Sequence, residues 1–226
     1  VGSEMCIRDR YYRYESHAMT ELSTTSYPVS GIRLATAAAG VRKPIRQDVL
    51  LLEIAPGASI AAMFTRNAFC AAPVTLAKQH LGRTSPRYLL VNSGNANAGT
   101  GAAGLAAAHA CCQRLADECR CQAEEVLPFS TGVIGEPLPV DKITAVYAQL
   151  RGALDENNWA AAARAIMTTD TVPKFVTRQV QIAGTTITLT GIAKGSGMIR
   201  PNMATMLAYI ATDAMIEQSP LQACLQ

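Results

Sequence analysis

Gly191-Ile-Ala-Lys-Gly-Ser-Gly-Met-Ile-Arg-Pro-Asn-Met-Ala-Thr-Met-Leu-Ala-Tyr-Ile-Ala-Thr-Asp-Ala214 decides how the rest of the chain is read. A glycine-rich loop passes through Pro201 to a small residue and a hydroxyl residue, Ala204-Thr205, and then enters the apolar run Met206 to Ala211. Branched and aromatic residues in a short run after a loop predict a buried strand. Thr205 would then stand at the mouth of that strand.

Glycine enters positive φ without a steric cost, so a loop holding Gly191, Gly195 and Gly197 can bring its backbone close to itself or to a ligand. A threonine hydroxyl in such a loop can attack the carbonyl of the residue before it, and the methyl of Ala204 leaves that carbonyl accessible. Hydrolysis of the resulting ester makes Thr205 a new N-terminus. Its free α-amine, with a reference pKa of about 8, can take the proton from its own hydroxyl and so activate the nucleophile without a histidine. On residues alone, the alternative is a loop that only turns the chain into a core strand. A phosphate loop does not fit, because Lys194 precedes Gly195 where the Walker pattern needs Lys-Ser/Thr after the last glycine.

Outside this stretch, composition sets broad limits. A chain of 226 residues that is 49% apolar and 16% charged can bury a substantial core. A net charge of +3, spread along the chain, does not indicate nucleic acid, and no uninterrupted apolar run reaches membrane-spanning length. Val1 to Ala18 mixes arginines with tyrosines and has no apolar signal core, so it reads as a non-native or disordered arm ahead of Met19. Seven cysteines, four of them at Cys111, Cys112, Cys119 and Cys121, do not follow metal-site spacing and are read as free thiols in a reducing cytoplasm, with no metal and no cofactor.

The remaining pattern predicts one α/β domain over 27–226, with helices layered around mostly antiparallel sheets. Gly31 to Ala39 reads as a strand, and Val49–Ala55 with Ala58–Thr65 reads as a hairpin about Pro56-Gly57. These runs are apolar nearly throughout, which suggests a sheet covered on both faces. Pro73 opens a helix, Arg87 to Val91 is a strand, and Asn92-Ser-Gly-Asn-Ala-Asn-Ala-Gly-Thr-Gly101 is a loop rich in backbone and amide donors. An alanine-rich helix follows to about Cys119, then a strand from Val126 to Thr131-Gly132. A Thr-Gly pair at a strand end can offer a hydroxyl and an N–H to a developing oxyanion, or can be a simple turn. One amphipathic helix from Asp141 to about Leu154, another from Asn158 to Met167, and a hairpin of Lys174–Ile182 with Thr185–Thr190 complete the expectation. Met167-Thr-Thr-Asp-Thr-Val-Pro-Lys174 interrupts it as a capping and pre-proline turn.

The string Lys194-Gly-Ser-Gly-Met-Ile-x-Pro-Asn-Met-Ala-Thr-Met-Leu207 resembles the self-cleavage signature of the ornithine acetyltransferase family, the bifunctional glutamate N-acetyltransferases of arginine biosynthesis. Asn92 to Ala98, Thr131-Gly132 and Thr168 to Lys174 also resemble family motifs, in the same order. The resemblance implies cleavage between Ala204 and Thr205, Thr205 as nucleophile, Thr131 and Gly132 as the oxyanion hole, and Thr171, Lys194 and Thr205 as substrate contacts. It makes the Asn-Gly stretch an active-site wall. It implies acetyl transfer from N2-acetylornithine to glutamate, in a cytoplasmic assembly of two α and two β chains, and leaves open whether acetyl-CoA is a further donor. It also implies that most of the β chain lies beyond Gln226, so that this chain alone would be inactive. The rival readings are a self-processing aminopeptidase of related fold and a non-catalytic small-molecule binding domain.

Overall fold

Val49–Ile54, β2, is the centre of the fold because five of its six residues are buried and both its edges are paired. This is a computed structural model, and it describes residues 26–196 and 206–225. On one side β2 pairs antiparallel with β1, Ile32–Ala37, and on the other with β3, Tyr88–Asn95. β3 pairs in parallel with β4, Val126–Val133, giving a four-stranded sheet in the order β1-β2-β3-β4. Pro128 is accommodated because β4 is an edge strand, where a missing N–H need not break a ladder.

The period-two alternation of β2 divides its leucines between two cores. Val49 and Leu51 face a helical layer made of α1, Ala72–Leu81, α2, Gly101–Cys119, α3, Val140–Thr144, and α4, Tyr147–Gly152. Leu50 and Leu52 face α5, Trp159–Ala165, and a second sheet. That sheet is antiparallel in the order β5-β6-β7, formed by Lys174–Ile182, Thr185–Lys194 and Leu207–Thr212. Its first hairpin turns at Ala183-Gly184, both at positive φ, as a tight turn matched to strand twist requires. A last helix, α6, spans Gln218–Leu225.

The layered α/β class, the two-faced burial of β2 and the β5-β6 hairpin agree with the sequence expectation. Five details do not, the first being that β6 carries Gly191 to Lys194 as strand, paired with β7, where the glycine loop was expected. The Pro56-Gly57 hairpin is absent, because β1 and β3 already occupy both edges of β2. Instead Ile54 and Ala55 donate to Arg87 and Gly31, and residues 60 and 62 are bonded by the side chains of Gln218 and Gln222. Asn92 to Asn95 are strand, held by the parallel pairing with β4, where a loop was expected. The helix expected from Asp141 is broken into α3 and α4; Tyr147, at the start of α4, donates its hydroxyl to the Cys111 carbonyl. The β7 strand is not buried: it is an edge strand with Leu207, Tyr209 and Ala211 against the core and Ile210 73% exposed.

Leu50 and Trp159, the single tryptophan, are buried in the same cluster. Leu50→Ala should therefore lower stability by about 2–5 kcal/mol, read from urea unfolding with Trp159 fluorescence as the reporter.

Candidate active site

At the C-terminal ends of β3 and β4 the two strands meet closely, with Ser93 opposite Thr131 and Gly94 opposite Gly132, before a bulge at Asn95. Gly132 has φ +139, and a Cβ there would lie 2.3 Å from the Gly94 carbonyl carbon and 2.5 Å from the Asn95 nitrogen. No side chain fits between those backbones, so position 132 must be glycine for the strands to end as they do. Thr131, buried, is thereby held at a rigid strand end next to an exposed Gly132.

The asparagines of the adjoining stretch maintain this end. Asn92 accepts from Ser130 at 2.6 Å and donates to the Asn95 carbonyl at 2.8 Å, while Asn95 donates to the carbonyls of Glu136 and Pro137. Asn97 receives the Thr100 hydroxyl and donates to the Gly104 carbonyl at 2.8 Å. All three are buried, and their side-chain amides bond carbonyls and hydroxyls of the protein itself.

A second group forms where β6 ends. Lys194 is buried and its Nζ donates to Thr168 Oγ1 at 3.2 Å. Asp170 Oδ1 accepts from Lys174 Nζ at 2.6 Å and from the Gly195 N–H at 2.8 Å, and Oδ2 accepts from the Thr168 N–H at 3.2 Å. The Thr169 and Ser196 hydroxyls are 2.8 Å apart. Lys194 and the turn carrying Thr171 are thus brought together, with Thr171 exposed beside them.

Burial by itself would raise the Asp170 carboxyl. The hydrogen bonds from Lys174, Gly195 and Thr168 outweigh it and hold the group down at about 2. Burial lowers the Lys194 ammonium, Asp170 pulling it back up and Lys174 adding to the lowering. A carboxyl depressed on folding stabilises the protein above its unfolded pKa and loses that contribution as pH falls through the folded value. The stability margin of the wild type over Asp170→Asn should therefore shrink by roughly 2 kcal/mol between about pH 5 and about pH 2, measured by urea unfolding.

The two groups share a bridge that sequence reading missed, the loop between β1 and β2. Asp48, buried, accepts from the N–H groups of Ala39 at 2.7 Å and Val41 at 2.6 Å and so fixes the loop's course. Arg42 then lies over Gly94, its Cβ 3.1 Å from where a Gly94 Cβ would be, and the Arg46 guanidinium donates to the Met167 carbonyl. A second link is the edge-to-face contact of Phe129, two residues before Thr131, with Tyr209 of β7 at 5.4 Å. An acidic residue directly before an apolar strand was the only trace of this brace in the sequence.

Leu207, the first residue of β7, pairs with Lys194. Ala204 and Thr205, the expected cleavage point and nucleophile, lie outside the described residues. Cys111 and Cys112 are buried, and burial pushes both thiols up, Cys111 to about 11. Among the described residues no three His, Cys, Asp or Glu side chains are gathered as a metal site would need, and no helix is long and apolar enough to cross a membrane.

Helices layered around two sheets place the chain in the α/β class, and it is a member of the ArgJ family, whose model matches residues 33–226. It is 59% identical over 199 residues to the arginine biosynthesis bifunctional protein ArgJ of Methylococcus capsulatus, and 56% identical over 198 residues to that of Pseudomonas fluorescens. Each alignment takes in 88% of this chain but only 48% and 49% of those proteins, so the chain spans about half the length of the curated relatives it matches. Among solved structures it is similar to the ArgJ protein of Bacillus halodurans, with TM-score 0.71 and 37% identity over 79% of this chain and 92% of that one. It is also similar to the ornithine acetyltransferase of Mycobacterium tuberculosis in complex with ornithine, with TM-score 0.65 and 34% identity over 81% and 94%.

Proposed function

We propose that the protein to which this chain belongs transfers an acetyl group from N2-acetylornithine to glutamate through an acetyl-threonine at Thr205. The observation that carries this reading is the pairing of Lys194 with Leu207, two residues after Thr205, in a chain whose Thr131-Gly132 strand end is tied to β7 through Phe129 and Tyr209. Family membership and relatives named as bifunctional arginine-biosynthesis proteins support the reaction class.

In the first stage the Thr205 hydroxyl attacks the Ala204 carbonyl, the peptide C–N bond breaks to an ester, and water releases Thr205 with a free α-amine. In the second, that amine accepts the hydroxyl proton while the oxygen attacks the acetyl carbonyl of N2-acetylornithine. The oxyanion is stabilised by the Thr131 hydroxyl and the Gly132 N–H, preorganised donors of the kind that contribute most to acyl transfer. Collapse expels ornithine, whose amine takes the proton. The glutamate amine then attacks the acetyl ester and regenerates Thr205. Lys194 and Thr171 hold the substrate's carboxylate and amide, an ammonium beside a carboxylate being a strong charge-assisted pair.

The proposed reaction uses no cofactor, and a paired assay with acetyl-CoA in place of N2-acetylornithine decides whether it serves as a second acetyl donor. The working assembly is two α and two β chains in the cytoplasm. Incubation of the full-length protein with N2-acetylornithine alone should leave one acetyl group on the peptide beginning at Thr205, seen by mass spectrometry, and glutamate should remove it as N-acetylglutamate. Discharge to water in place of glutamate would favour the aminopeptidase-like reading, and absence of any acetylated Thr205 peptide would refute the transferase.

A further inference from the structure

Asp170 has no role in the reaction just described, yet its side chain is 1% exposed and receives donors both from its own turn and from a segment 25 residues away. Thr168 N–H lies two residues back, Lys174 four residues on at the start of β5, and Gly195 N–H on the far side of the β5-β6 hairpin. A helix cap or local turn would draw on neighbours alone. The Gly195 contact spans 25 residues and takes hold of the chain immediately after Lys194, where β6 ends. Gly195 has φ +147, a conformation other residues rarely adopt, so its N–H direction is set by this bond together with its lack of a side chain. Beside this contact, the Thr169 and Ser196 hydroxyls pair at 2.8 Å and Lys194 Nζ donates to the Thr168 hydroxyl at 3.2 Å. Lys194, Gly195 and Ser196 are therefore each bonded to one of Thr168, Asp170 and Thr169.

We propose that Asp170 is a positioning residue for both stages of the reaction, locking the start of the glycine loop and Lys194 against the turn that carries Thr171. The inference rests on the reading that the loop leads to a self-cleaving Thr205 and that Lys194 contacts substrate. Its physical basis is that attack by a hydroxyl on a neighbouring carbonyl, and later on a bound acetyl group, both need near-attack geometry, where about 1 Å of misplacement can cost about 10²-fold. A loop released at its first residue loses that control. Asp170→Asn keeps the size of the side chain but removes the charge that binds Lys174 and strengthens the bond from Gly195.

In the full-length protein, Asp170→Asn should slow scission between Ala204 and Thr205 at least tenfold, followed by mass spectrometry from the moment of refolding. Cleaved material should show a raised KM for N2-acetylornithine together with a lowered kcat. Exchange of the Gly195 amide hydrogen, slow in the wild type, should quicken at least tenfold in the variant, a readout independent of activity. Thr169→Val, at an exposed position that does not endanger folding, should slow scission by a smaller factor through loss of the Ser196 contact. Wild-type scission and Gly195 exchange in both variants would overturn the proposal. A wild-type protein that neither cleaves nor transfers acetyl would refute the transferase reading, while loss of Gly195 protection in Asp170→Asn would still uphold the clasp.

Discussion

Thr205→Ala in the full-length protein should yield a single uncut chain with no acetyltransferase activity, because the variant lacks the hydroxyl that both opens the Ala204 peptide bond and carries the acetyl group. The loss should be complete in both assays, since no other hydroxyl takes its place with a free α-amine on the same residue. Thr205→Ser separates the two requirements. Serine keeps the hydroxyl and, once released, the amine, so scission and turnover should survive at reduced rates. Scission of Thr205→Ala at the same bond, seen as two chains on a denaturing gel, would remove Thr205 from its assigned role.

The next largest effect is expected at the strand end. Loss of one preorganised oxyanion donor commonly lowers kcat by about 10²–10³, so Thr131→Ala should fall in that range with little change in KM. Its fold should persist, because the methyl of alanine occupies part of the same buried position and the strand pairing is made by backbone. Gly132→Ala is a different experiment. Its added Cβ would sit 2.3 Å from the Gly94 carbonyl carbon, so β3 and β4 must separate there, and both stability and kcat should drop. A Thr131→Ala enzyme with unchanged kcat would return the Thr-Gly pair to a purely structural turn. Circular dichroism on the two variants distinguishes the loss of a donor from the loss of the strand end.

The candidate site residues could be proposed from sequence because their chemistry is carried by residue type and order. A threonine after a glycine loop, a Thr-Gly pair ending a strand and a lysine before the loop could each be named from the chain, and the motif order pointed to the family that the 33–226 match establishes. The fold class followed in the same way from β2, whose unbroken apolar run requires cover on both faces.

What the sequence alone determined was local: which residues carry hydroxyl, amine or amide, and where strands and helices form by periodicity. Only the tertiary structure decided which partners those residues meet. Val49–Ile54 and the apolar run from Ala58 looked like two arms of a hairpin, and nothing in either segment reveals that β1 and β3 claim both edges of β2. Asn92, Asn95 and Asn97 looked like donors for a ligand, and their amides bond carbonyls and hydroxyls that the fold brings to them, some from more than thirty-five residues away. Asp170 looked like a cap in a pre-proline turn, and its bond to Gly195 exists because the β5-β6 hairpin folds those 25 residues back on themselves. A side chain's donors and acceptors are written in its covalent structure. Which of them are used depends on long-range closure of the chain, and that closure is fixed by the summed packing of both cores.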